Sequence, residues 1–220
     1  MITHPAKFSP EVLSTLSQLT SEMEDGARVL DPFAGVGTIH NLTRFNTVGV
    51  EMEPEWATQH KRTIVGDSRF LAQLLEPESF DAVITSCSYA NRMSDRYAGD
   101  PKGSRRFTYR ISLGRPLSEG NGAAVQWSGS QKKEYQAIHE TVWEQCFQVL
   151  KSGGLLLLNV SDHIRGGEVM PVVAWHSETL ESVGFQLVAE HSVATRRMRM
   201  GANREKRVPR EMILVVSKPV

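Results

Sequence analysis

The chain has 220 residues, enough for one sizeable domain but thin for two. Apolar residues make up 40% and charged residues 23%, which excludes a disordered tail, a coiled coil and a collagen-like rod. The 25 Lys and Arg offset the 25 Asp and Glu, so net charge alone points to no polyanionic partner. Cys87 and Cys146 cannot build a disulfide framework and lack the CxxC spacing of zinc or redox sites. No apolar leader opens the sequence, and no apolar run approaches the roughly 18 residues of a membrane span. A reduced, cytoplasmic setting without membrane contact is the expectation.

In chain order, Val12, Leu13, Leu16, Leu19 and Met23 fall on one helical face and predict a helix over Ser9 to Met23, with Ser9 as N-cap and Pro10 in the first turn. Strands are predicted at Ala27–Leu30, Thr47–Met52 and Thr63–Gly66, with helices at Pro54–Arg62 and Ser68–Leu75. A nearly continuous apolar strand covers Phe80–Thr85. Tyr135, Ile138, Val142, Cys146 and Val149 form the stripe of a helix over Ser130–Leu150, and the strand Leu155–Val160 follows Gly153 and Gly154. A helix at Val169–Val183 and strands at Phe185–Val193 and Met212–Ser217 complete the chain.

Strand–helix alternation implies a parallel sheet with right-handed crossovers, and the last two strands, joined without a helix, an antiparallel hairpin. Residues 91–129 fit no such unit. They are rich in Gly, Ser and Arg, and a loop of about 40 residues inside a compact domain is functional or mobile. The reading is one domain over residues 1–220 with an insertion at 91–129 and a hairpin loop at 195–210. Both loops are basic: Lys102, Arg105, Arg106, Arg110 and Arg115 in the first, Arg196, Arg197, Arg199, Arg204, Lys206, Arg207 and Arg210 around the second. Solvated charge explains either run alone; two in one neutral domain favour a phosphate-rich partner.

Asp31-Pro32-Phe33-Ala34-Gly35-Val36-Gly37-Thr38 sets two glycines in a strand-to-helix turn, where backbone can approach a ligand closely. About 20 residues after Asp31, Glu51 ends the second strand, where a carboxylate can accept ribose hydroxyls. The turn lacks the third glycine of a dinucleotide site and the Gly-Lys-Ser/Thr of a P-loop, so a nucleoside without pyrophosphate fits better.

Val29 to Thr38 resembles the S-adenosylmethionine motif of the DNA amino-methyltransferases, which modify adenine N6 or cytosine N4. Later segments follow that family's order, and the resemblance covers nearly the whole chain. It implies a Rossmann-like class I methyltransferase fold, α/β, with a seven-stranded mainly parallel sheet, an antiparallel C-terminal hairpin and helices on both faces. His4 and Phe8 fall in the segment that covers the cofactor's methionine end; Glu51 holds the ribose, Met52 packs on adenine, and Asp67, followed by Ser68, accepts from the adenine amino group. With Asp31, Phe33, Ala34, Gly35, Gly37 and Thr38, these are the residues the resemblance assigns to S-adenosyl-L-methionine. Ser86-Cys87-Ser88-Tyr89 falls where the family carries its catalytic [Asp/Asn/Ser]-Pro-Pro-[Tyr/Phe/Trp] turn.

Cys87 and Ser88 replace both prolines, so the turn loses its fixed φ values. Ser86 would accept from the target amino group and Tyr89 would stack on a base flipped from the duplex. Serine at position 86 tilts the reading toward cytosine N4. Cys87 as a nucleophile, as in cytosine C5 methylation, would need an activating neighbour and a thiolate. Arg92 and the arginines of the two basic loops, Arg105, Arg106, Arg110, Arg196, Arg197, Arg199, Arg204 and Arg207, would hold the nucleic acid, DNA or alternatively RNA. Arg105, Asn121 and Gln126 are candidates for base-specific contacts.

Three histidines, His139, His163 and His176, show no metal spacing and read as surface or core groups. Asn159 to His163 either lines the base pocket or caps a strand end. Trp143 and Trp175 read as core, Trp127 as a stacking candidate. Two functions remain: a nucleic-acid amino-methyltransferase of a bacterium or bacteriophage, acting as monomer or homodimer within or outside restriction-modification, or a cofactor-binding protein without methylation activity that binds nucleic acid.

Overall fold

Alternating apolar residues on the central strands send side chains to two opposite faces, and each face is covered by helices. In the computed structural model, which describes residues 4, 7–90, 109–195 and 208–220 (the side chains of Arg110 and Ile111 excepted), seven strands form one sheet. These are β1 (Arg28–Asp31), β2 (Asn46–Glu51), β3 (Thr63–Val65), β4 (Phe80–Ser86), β5 (Leu150–Val160), β8 (Gln186–Ala194) and β9 (Arg210–Ser217). Their order is β3-β2-β1-β4-β5-β9-β8; β9 alone runs antiparallel to its neighbour β5 and pairs antiparallel with β8. The chain order reverses between β1 and β4, and in such sheets ligands bind at the carboxyl ends of the strands at that switch.

Leu30, Val83, Leu156, Leu158, Leu214 and Val216 face one side, where they meet Leu71 of α3 (Leu71–Leu74), the Tyr135–Val149 stripe of α5 (Gly129–Val149), and Val172 and Leu180 of α6 (Val172–Val183). Their neighbours Val29, Ala82, Ile84, Leu157, Ile213 and Val215 face the other side and meet Val12 and Leu16 of α1 (Pro10–Leu19). Helix α1 starts as the sequence suggests: Ser9 Oγ accepts from Val12 N at 3.2 Å, and Pro10 occupies the first turn. No helix among the described residues is long and apolar enough to cross a membrane.

Several predicted helices are shorter than their periodicity implied. After β1 comes only one 3-10 turn, Thr38–Asn41, rather than a helix. Pro54–Arg62 contracts to α2 (Pro54–Ala57), and Ser68–Leu75 splits into a 3-10 turn, Ser68–Phe70, followed by α3. The predicted helix from Val169 begins at Val172 instead. Gly166 and Gly167, with φ of 60° and 90°, turn a separate hairpin of β6 (His163–Arg165) and β7 (Glu168–Met170), and Pro171 then starts α6. A Gly-Gly pair between short strands is a hairpin signal, so this turn was readable. Within the insertion, the described part holds α4 (Tyr109–Leu113) and a 3-10 turn, Gly122–Ala124; residues 91–108 lie outside the described residues.

Gly49 on β2 pairs in register with Asp31, and a Cβ there would stand 2.7 Å from Ala34 Cβ and 2.9 Å from Thr63 Oγ1. Gly49→Ala is therefore expected to destabilise the fold by about 1–3 kcal/mol through overpacking, read as a lower urea midpoint with unchanged m.

Candidate functional site

One cleft of about 310 Å³ opens at the carboxyl ends of β1, β2 and β4, within the size range of small-molecule sites. Its floor begins with the turn after β1. Gly35 and Gly37 have φ of 52° and 81°, conformations that disfavour any residue with a Cβ. The turn is pinned to β2: Ala34 N donates to Val50 O at 3.0 Å, and Gly35 N donates to Glu51 Oε2 at 2.9 Å. The other Glu51 oxygen accepts from Glu53 N at 2.8 Å. Asp31 Oδ1 accepts from Phe33 N at 3.0 Å and from the Thr85 hydroxyl at 2.7 Å, which ties β1 to β4.

Burial pushes both carboxyls up, each to about 7, against the lowering effect of these hydrogen bonds. No ion pair involving either acid occurs among the described residues. A cationic ligand in the cleft would restore their charge.

Of the twelve residues that the resemblance assigns to the cofactor, eleven line this cleft: His4, Phe8, Asp31, Phe33, Ala34, Gly35, Thr38, Glu51, Met52, Asp67 and Ser68. Gly37 is the exception. It backs onto His40 instead, where a Cβ would stand 2.7 Å from the ring. His4 packs edge-on against Trp56, ring centres 4.3 Å apart, beside Gly35. Asp67 is engaged twice over, capping the 3-10 turn through Arg69 N at 3.0 Å and pairing with the Arg69 guanidinium. The Ser68 hydroxyl donates to Pro32 O.

The same cleft reaches Ser86, Cys87, Ser88 and Tyr89, so the four turn residues and the glycine turn share one cavity. No proline fixes this turn; hydrogen bonds hold it. Trp143 Nε1 donates to His176 Nδ1 at 3.1 Å, which leaves the His176 proton on Nε2, 2.8 Å from the Tyr135 hydroxyl. Tyr135 in turn donates to Ser88 O at 2.6 Å. The Ser88 hydroxyl donates to Gly122 O at 3.1 Å, and Trp127 N donates to the carbonyl of Ala90, whose φ of 49° is left-handed. Burial keeps His176 well below the usual imidazole range, so this chain of donors stays neutral.

Cys87 is buried beside His176 Nε2 at 3.4 Å, and burial pushes its thiol up to about 12. A nucleophilic cysteine requires the opposite shift, so cytosine C5 chemistry is not supported here. Tyr89 does not present a free phenol: its hydroxyl meets Ser86 Oγ, Asn159 Nδ2 and Glu211 Oε2.

Some further expectations change and some hold. Trp127 is buried against Tyr135 and Trp175, ring centres 5.5 and 5.6 Å away, so it belongs to the core and does not stack on a ligand. His139 and His176 are core groups, and His163 is half-buried. Asn121 donates to Glu53 Oε1 at 2.8 Å and caps Ala123 N, while Gln126 accepts from Arg165. Arg115 pairs with Glu53 and Glu55, so that member of the first basic loop is committed internally. Arg92, Arg105, Arg106, Arg196, Arg197, Arg199, Arg204 and Arg207 lie outside the described residues, as does the side chain of Arg110.

Glu211 was missed by sequence reasoning. It stands on the last strand, 122 residues from Tyr89, and nothing local marks it as a partner. The Tyr135–His176–Trp143 chain was also missed, because helix periodicity marks all three only as buried.

No protein-family model matches the chain, and no curated protein is significantly similar to it. Solved structures do resemble it. TrmN from Thermus thermophilus matches with a TM-score of 0.57 and 14% identity over 97% of this chain and 50% of that one, so the chain spans about half of TrmN. The 1,6-didemethyltoxoflavin-N1-methyltransferase of Burkholderia thailandensis, solved with S-adenosylhomocysteine, matches with a TM-score of 0.52 and 15% identity over 96% of this chain and 79% of that one. The [4+2]-cyclase SpnF matches with a TM-score of 0.55 and 15% identity over 99% and 86%. At these identities the likeness concerns the fold, and a cyclase among the matches illustrates that fold does not set chemistry.

Tyr135→Phe is expected to cost about 1–3 kcal/mol by removing the donor to Ser88 O and leaving His176 Nε2 only the weak Cys87 Sγ acceptor, measured by urea denaturation. The seven-stranded sheet with its antiparallel C-terminal hairpin has the class I Rossmann-like methyltransferase fold.

Proposed function

We propose that the chain transfers a methyl group from S-adenosyl-L-methionine to an exocyclic amino group of a nucleobase in DNA, with cytosine N4 favoured over adenine N6. The observation that carries this reading is the single cleft that joins the glycine turn, Asp31 and Glu51 to the Ser86–Tyr89 turn. The residues suit the cofactor. Two buried carboxyls without cationic partners among the described residues favour a positively charged ligand, and the left-handed Gly35, with the His4 ring about 3.2 Å from where a Cβ would stand, lines the same cleft.

The cofactor supplies an already electrophilic methyl, so the protein's task is positioning rather than strong acid–base chemistry. Asp31 and Glu51 hold the cofactor's end of the cleft. Ser86 accepts an N–H of the target amino group and orients the nitrogen lone pair. That pair forms the N–C bond as the S–C electron pair returns to sulfur, and the surplus N–H proton leaves to solvent. The base reaches the turn unstacked, at a cost of a few kcal/mol. The arginines of the two basic loops are assigned to the flanking phosphates, and an RNA substrate would use the same contacts. The alternative, a cofactor-binding protein without methylation activity, rests on Cys87 and Ser88 at the proline positions.

Incubation with isotope-labelled S-adenosylmethionine and unmethylated DNA should place label on cytosine N4 or adenine N6, detected by nucleoside mass spectrometry. Cofactor binding without label in DNA or RNA would favour the alternative, and no cofactor binding would refute both.

The carboxyl shifts give a second test. Asp31 and Glu51 ionise near 4 when unfolded and near 7 when folded, so between those values the folded state binds more protons and loses stability as pH rises. A cationic ligand reverses this. S-adenosylmethionine should release protons on binding at about pH 7 and stabilise the protein more at about pH 8 than at about pH 6, whereas S-adenosylhomocysteine, without the sulfonium charge, should do so less. Calorimetry in buffers of different ionisation enthalpy reads the proton count.

A further inference from the structure

Three separate parts of the chain converge on one phenolic oxygen. The Tyr89 hydroxyl lies 3.2 Å from Ser86 Oγ, 2.8 Å from Asn159 Nδ2 and 3.1 Å from Glu211 Oε2, and Asn159 Nδ2 also lies 2.8 Å from Glu211 Oε2. Ser86, Tyr89 and Glu211 all line the cleft.

The chemistry of these groups fixes where each proton points. The Glu211 carboxylate only accepts, and the Asn159 amide nitrogen only donates. Asn159 directs its two N–H groups at Tyr89 and Glu211, which leaves its buried Oδ1 without a hydrogen-bond partner among the described residues. Turning the amide would satisfy that oxygen only by setting it against the carboxylate. Tyr89, whose phenol is held well above its ordinary range by burial and then by the nearby Glu211 charge, keeps its proton and donates it to Glu211. Its oxygen is then an acceptor for the Ser86 hydroxyl, and Ser86 Oγ turns lone pairs rather than a proton toward the cleft.

Resting on the reading that this cleft takes a nucleobase, we propose that Glu211 is a positioning residue that sets the polarity of Ser86 through Tyr89. The pocket thereby selects bases presenting an N–H donor, cytosine or adenine, over uracil or thymine, which present a carbonyl at that edge. Without the carboxylate, Tyr89 donates to Ser86 and the serine proton turns into the cleft. The site then meets a carbonyl as readily as an amino group. Cys87 and Ser88 leave this polarity untouched, because the chain runs through the two outer residues of the turn and not through the proline positions.

The test compares wild type with Glu211→Met, which keeps length but has no acceptor oxygen, and Glu211→Gln, whose Oε1 can still accept from Tyr89 and Asn159. Binding of cytidine, adenosine and uridine to the S-adenosylhomocysteine-loaded protein is followed by ligand-observed NMR. Initial rates of labelled methyl transfer to unmethylated DNA are measured alongside. Wild type is expected to favour an amino nucleoside over uridine by about tenfold or more. E211M should erase that preference and lower kcat by about tenfold or more with cofactor affinity unchanged, and E211Q should retain most of the preference.

A wild type that methylates, with an E211M variant that keeps the nucleoside preference, overturns the role of Glu211 and leaves the amino-methyl reading standing. Loss of rate in E211M with the preference intact overturns it too, since a merely structural role gives that result. A wild type that neither methylates nor distinguishes the nucleosides overturns both. Should E211M fail to fold, Tyr89→Phe breaks the same chain with the carboxylate in place and is judged by the same criteria.

Discussion

Asp31 and Glu51 end neighbouring parallel strands with carboxyls removed from water, and the site is organised around that placement. Each holds backbone in position as well as carrying latent charge. Glu51 grips the glycine turn through Gly35 N and the start of α2 through Glu53 N; Asp31 grips its own turn through Phe33 N and β4 through Thr85. The same desolvation that pushes both groups up to about 7 makes the cleft receptive to positive charge. Burying the two charges is thus costly for the protein alone and would be relieved by a cationic ligand, a common arrangement where function and stability compete.

The turn that follows β4 shows how a rigid element can be built without the residues that usually make it rigid. Proline fixes φ covalently, within one residue. Here Ser88 is fixed from outside, by a file of neutral donors running from Trp143 through His176 and Tyr135 to its carbonyl. Such a clamp acts only while the surrounding core is dry and well packed, because water would compete for every bond in it. The turn's geometry therefore depends on α5 and α6, whereas a Pro-Pro pair would carry it locally.

The described part of the insertion is moored rather than loose. Glu53, fully buried, accepts from Ser118 N, the Ser118 hydroxyl and Asn121 Nδ2, and pairs with Arg115 at 2.8 Å. A buried carboxylate is tolerable only with such complete pairing. The mooring brings Asn121, Gly122 and Ala123 to the wall of the cleft, so an insertion with no readable secondary structure still contributes to the site's shape.

The fold class, the strands of the main sheet and the cleft end were legible in the chain because they depend on local chemistry. Apolar runs such as Phe80–Thr85 form strands wherever they are buried on both sides, and glycines in the turn after Asp31 announce close backbone approach. Helix lengths were overestimated at Pro54–Arg62 and Ser68–Leu75, since periodicity marks which residues are buried without saying how many turns the packing retains. The tie of Asn121 and Arg115 to Glu53 was not legible, because polarity in a loop looks the same whether the side chain faces a ligand or a buried carboxylate. Glu211 and the Tyr135–His176–Trp143 chain were invisible for a stronger reason. Their partners lie tens of residues away or more, and only the antiparallel return of β9 beside β5 brings Glu211 to Asn159 and Tyr89. The sequence by itself determined the sheet and the end of it where the cleft opens; the tertiary structure decided which polar groups meet there, because that depends on which distant groups share a hydrogen bond.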